Sequence, residues 1–105
     1  MATVSVGSDI LADENREKRD EVIELLTKAY WMEIETVMNY IANSVNPDGV
    51  RAQEIKESLQ EDIQEELRHA QQFAERIKEL YGVVPGSERF VAEQASLQPP
   101  SDQVD

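Results

Sequence analysis

The chain has 105 residues, enough for one small domain. Its 22 acidic and 10 basic side chains leave a net charge of -12, which argues against a nucleic-acid partner and suits either plain solubility or the attraction of cations. There is no cysteine, no basic-then-apolar secretory leader and no apolar run near the ~20 residues that span a bilayer, so the sequence reads as a cytoplasmic protein with no membrane association, disulfide or thiolate metal site.

Residues 1–15 read as a flexible lead-in. The stretch "DENREKRD" then opens a helix over about 16–44, with acidic residues early, as the helix dipole prefers, and no Gly or Pro inside. "NPDG" is a turn signal, and Asp48 is placed to cap the next helix. The second helix spans about 49–82, with Gly82 as a stop and Pro85 as a second breaker. Residues 83–105 form a C-terminal tail, extended or briefly helical. The expected fold is all-α: a long antiparallel two-helix hairpin over 16–82, half of a four-helix bundle. A lone hairpin has one apolar seam and little else to bury, so dimerisation is the expected completion.

Each helix carries an apolar stripe interrupted at its centre. On the first, Leu26, Ala29, Tyr30, Val37 and Tyr40 flank Glu33, while Glu35 points to the opposite side. On the second, Ile55, Leu59, Ile63, Ala70, Phe73, Ile77 and Leu80 flank Glu66 and His69, the latter being the sole histidine. Ionisable groups at one level of a seam lose hydration unless compensated, and a bound cation compensates two carboxylates while taking a neutral imidazole nitrogen. Taken singly, each residue has a plainer role: His69 as a hydrogen-bonded core histidine, Glu33 as a snorkelling seam-edge residue, Tyr40 as a packed core tyrosine. Glu61 and Glu65 lie beside the cluster, either as a cation relay or as a solvated acidic face.

Di-iron carboxylate bundles take a Glu from each of two helices and a Glu-x-x-His from each of the other two. This chain has one of each, so two copies related by a two-fold axis would supply six ligands: Glu33, Glu66 and His69 from each.

"MEIETVMNY" and "EELRHAQQFAERIKELYGVVPG" resemble the first and second helices of bacterioferritins and related members of the ferritin-like di-iron carboxylate superfamily, over about residues 20–86. The resemblance implies Glu33 as a terminal metal ligand, Glu66 as a bridging carboxylate and His69 as the imidazole ligand, with Tyr40 close to the metals. It implies a ferroxidase-type oxidoreductase that oxidises Fe(II) with dioxygen or peroxide for iron storage or detoxification, manganese or another divalent metal being an alternative occupant. Bacterioferritins place a haem-ligating Met directly after the Glu of Glu-x-x-His; Leu67 stands there, so no haem is expected. Ordinary members carry four bundle helices, whereas this chain is similar to encapsulated ferritins in its two-helix plan. That makes an encapsulin shell a candidate partner, although "SLQPPSDQVD" has no evident targeting tail and looks like the crossover between ferritin halves. Two other readings stay open: a metal-free helical dimer or adaptor whose polar centre fixes register, and an N-terminal fragment of a full-length ferritin-like protein.

Overall fold

The structure, a computed structural model, describes residues 9–100, so the outer parts of the expected lead-in and tail (1–8 and 101–105) lie outside the described residues. Two helices, α1 (Arg16–Val45) and α2 (Ala52–Glu79), pack as an antiparallel hairpin, preceded by a 3-10 turn at Asp13–Asn15. There is no strand among the described residues. At 1.5 Å per residue the helices are about 45 and 42 Å long. No Gly or Pro interrupts either one, so the periodic apolar stripes run unbroken from end to end.

The hinge differs from the sequence expectation. Asn46 closes α1 through its N–H to the Ala42 carbonyl, and Gly49, at φ 103°, takes the left-handed conformation that reverses the chain. The reversal delays α2, which begins behind Arg51 with no side-chain cap, so Asp48 stays in the turn and does not cap it.

Val37 of α1, Ala70 and Ile77 of α2, and Leu80 just past its end form the buried apolar core. The far end of α2 closes with paired bonds: Gly82 N–H to Ile77 O (2.9 Å) and Tyr81 N–H to Lys78 O (3.0 Å). This is a Schellman closure, in which the left-handed position usually falls to glycine. Here Tyr81 takes it, at φ 69°, and Gly82 serves a different purpose. A Cβ on Gly82 would lie 2.9 Å from Ile77 Cγ2 and 3.1 Å from Ile23 Cγ2, so its bareness lets the two helices touch at their ends. The Arg19 guanidinium lies 5.6 Å from the centre of the exposed Tyr81 ring and donates to the Ile10 and Ala12 carbonyls, tying the segment before α1 to the end of α2.

Residues 86–98 run back along α1 as a non-helical strap, on the side away from α2. Four α1 side chains at i, i+4 spacing hold it. Trp31 Nε1 donates to Gly86 O (3.1 Å) and meets the Phe90 ring edge-on. The Glu35 carboxylate accepts the backbone N–H groups of Glu93 and Gln94. Asn39 bonds the Gln94 and Gln98 side chains, and Asn43 Nδ2 donates to Leu97 O (2.9 Å). Even so, the hairpin encloses little. Its radius of gyration is 18.5 Å, where a compact chain of this length has about 13 Å, and Met38, Ile41 and Val45 remain exposed along α1.

Gly82→Ala should destabilise the fold by about 1–3 kcal/mol, because the added methyl overpacks Ile77 and Ile23. Gly86→Ala, whose Cβ meets nothing within 4 Å, is the matched control and should leave the thermal midpoint unchanged. Circular dichroism melts of the two variants make the comparison.

Candidate metal centre

Halfway along the seam α1 presents Glu33, and α2 presents Glu66 and His69 on one face through their i, i+3 spacing. One carboxylate oxygen from each glutamate and one imidazole nitrogen all lie within 4.8 Å of one another, and all three residues are half-buried. His69 Nδ1 is 3.9 Å from Glu33 Oε1. The structure thus brings together three of the four residues singled out from sequence. Tyr40 lies on the same face of α1 as Glu33, two turns and about 10 Å further on, and is half-buried.

The donor set fits a divalent cation by a test internal to the structure. Glu33 Oε2 is shielded from solvent and accepts no hydrogen bond. A buried acceptor left unsatisfied costs about 1–3 kcal/mol, more when it is charged. A cation removes that cost, and two carboxylates with an imidazole suit iron, manganese or zinc. Ions of this kind bind at about 2.1 Å, which holds their donors roughly 3–4 Å apart, so small side-chain rotations close the set. Three donors leave the coordination sphere short.

Glu35 is the functional side chain that sequence reasoning placed on the far side of α1 without a task. It is 3% exposed, yet its charge is met: Glu93 N–H reaches both carboxylate oxygens at 3.0 Å and Gln94 N–H reaches Oε2 at 2.8 Å. The Gln94 side chain completes the clamp by donating to Thr36 Oγ1 (2.7 Å) and Met32 O. The signal in the sequence was the polar series Glu35, Asn39, Asn43 inside a long helix, since asparagine is a poor helix former and needs a reason to sit there. Glu33 and Glu35 therefore face opposite ways, one toward α2 and one toward the strap, and only the second has its hydrogen bonds.

Glu65 flanks the centre on its exposed side, with Oε1 3.8 Å from His69 Nε2 and 3.9 Å from Arg68. Among the described residues, no helix is long and apolar enough to cross a membrane.

Comparison with known proteins follows from this geometry. A family model described as the ferritin-like domain matches residues 23–104. A bacterioferritin of Desulfovibrio desulfuricans is 35% identical over 72 residues, 69% of this chain and 40% of that protein. The chain therefore spans about two fifths of the length of the curated relative it matches. No solved structure matches it at a significant level.

Two substitutions separate the carboxylates. Glu33→Leu removes the unsatisfied oxygen and should raise the melting temperature of the metal-free protein, by about 4–8 °C for each kcal/mol recovered, while abolishing any stabilisation by added Mn(II). Glu35→Ala leaves the Glu93 and Gln94 N–H groups without their acceptor. It should cost about 1.5–3 kcal/mol and speed amide hydrogen exchange at those two residues, with the seam amides of Val37 and Ala70 still protected.

Proposed function

The chain belongs to the ferritin-like domain family, and from that premise we propose that it binds iron at Glu33, Glu66 and His69 and oxidises Fe(II) at a site shared between two copies. The observation that carries this reading is the trio of donors from two helices, gathered within 4.8 Å of one another, with one oxygen of Glu33 buried and without a hydrogen-bond partner. One hairpin supplies half of the six-ligand set used by di-iron carboxylate bundles. A second hairpin docked on the same face, related by a two-fold axis, supplies the other half and covers His69, whose side chain is 39% exposed in the single chain.

Fe(II) is the substrate: each ion gives up one electron, and dioxygen or peroxide takes up the electrons with protons from solvent. The chain's residues do the rest. Glu33 acts as a terminal ligand and places charge where the iron must sit. Glu66 stands one turn from His69 on the same face and is the carboxylate we assign to bridging. His69 offers a neutral nitrogen. Tyr40, two turns along the same face of α1, is assigned to hydrogen bonding or electron transfer with the iron pair. The apolar residues at either end of the seam, Val37 and Ile77 among them, exclude bulk water. The acidic excess of the chain favours the approach of cations. Leu67, half-exposed beside Glu66, has no atom that ligates haem iron, so no haem is assigned.

A role in iron storage or detoxification follows from the same chemistry and needs delivery into a shell, self-built or an encapsulin. The match to two fifths of a bacterioferritin supports a second source for the missing ligands, namely the other half of a longer ferritin-like protein.

Native mass spectrometry of protein loaded anaerobically with Fe(II) tests the reading. Two chains with two irons are expected, followed in air by Fe(III) absorbance at a matching stoichiometry. A metal-free dimer with unchanged melting in chelator would instead support a helical adaptor. Iron uptake unaltered by Glu66→Ala combined with His69→Ala would remove the site.

A further inference from the structure

His69 stands between two carboxylates. Its Nδ1 faces Glu33 Oε1 at 3.9 Å, and its Nε2 faces Glu65 Oε1 at 3.8 Å. The two nitrogens of an imidazole point away from each other, and in the neutral ring one carries a proton while the other offers a lone pair. The nitrogen that faces Glu33 is the one a cation held there would take, which leaves Nε2–H for Glu65. We propose that Glu65 is the positioning residue of this site: it accepts the Nε2–H of His69 and so fixes both the tautomer and the ring orientation in which Nδ1 is free to bind metal. This inference rests on the metal reading above and adds to it a residue that contributes no ligand atom to the set.

Three observations favour this role over a merely solvated glutamate. Glu65 lies one full turn before His69, the i, i+4 arrangement that brings two side chains together on a helix. The same Oε1 is 3.9 Å from Arg68 Nη2, so the carboxylate lies between the guanidinium and the imidazole. The Nε2–Oε1 gap is about 1 Å longer than a hydrogen bond, a distance one side-chain torsion closes. Partners of this kind, which orient a metal-ligating histidine through its other nitrogen, typically change metal affinity about ten- to a hundredfold when removed. Glu61, one turn earlier, adds the same charge to that part of the helix and provides the means to separate position from charge.

The experiment uses the untagged 105-residue chain, in which His69 is the only imidazole. Zn(II) serves as the probe because it is diamagnetic and accepts this donor set. Two-bond proton–nitrogen correlation spectra of the Zn(II)-loaded protein should show Nδ1 metallated and Nε2 protonated. In calorimetric titration, Glu65→Ala should weaken Zn(II) binding about ten- to a hundredfold with the stoichiometry per chain unchanged. Glu65→Gln, which keeps an acceptor oxygen, should recover part of the loss, and Glu61→Ala should bind as the wild type does. Metallation at Nε2, unchanged affinity in Glu65→Ala, or equal weakening by Glu65→Ala and Glu61→Ala would each overturn the role of Glu65. Absence of Zn(II) binding by the wild type, or full binding by His69→Ala, would instead remove the metal site on which the proposal stands.

Discussion

One oxygen atom sets the constraint at the centre of the seam. Glu33 Oε2 lies between two helices, out of reach of water and of any protein donor. A helix that only packed would place an aliphatic side chain there, as it does at Val37 one turn later. Two residues away, Glu35 is more deeply buried and carries the same group, but backbone N–H groups of the strap satisfy it. The contrast removes a general explanation for Glu33. This fold can satisfy a buried carboxylate from its own backbone, and at Glu33 it does not.

A hairpin that collects three candidate metal donors also limits what they can do alone. Its core is short and confined to one seam, and apolar side chains such as Met38 and Ile41 remain in solvent. The deficits in burial and in ligands point in one direction, since a second hairpin relieves both. Under the function proposed here, assembly and chemistry are one event: the surface that buries the seam also completes the coordination sphere. Other partners would meet the burial need, but only a partner with the same donors meets both.

The helices were legible because the 3.6-residue repeat is uninterrupted for thirty residues in α1 and 28 in α2. The trio Glu33, Glu66 and His69 was legible for the same reason, as ionisable groups standing where the repeat calls for aliphatic ones. What escaped was set by backbone conformation and long-range contact. Asp48 has the chemistry of a cap, but the left-handed Gly49 carries the chain past it before α2 begins. Gly82 marks the end of α2, yet the left-handed residue is Tyr81, because Gly82 is needed for the approach of Ile77 to Ile23. The strap carries no periodic signal of its own, and its partners on α1 lie 54–62 residues away in sequence. Glu65 was legible as a neighbour of the cluster, but its task was not, since an acidic residue on an exposed helix face has the same local pattern whether it meets solvent or an imidazole.

The strap also sets an order of events. Its anchors join Glu35 to Glu93 and Gln94, 58 and 59 positions apart, whereas the hairpin can begin to zip from its turn as soon as α2 exists. Residues 86–98 leave the ribosome after both helices, so the outer face of α1, with Trp31 and its polar ladder, stands bare while the seam between the helices is already forming. The two helices therefore pair first, and the outer face of α1 is finished later. The strap is the latch that shuts behind them.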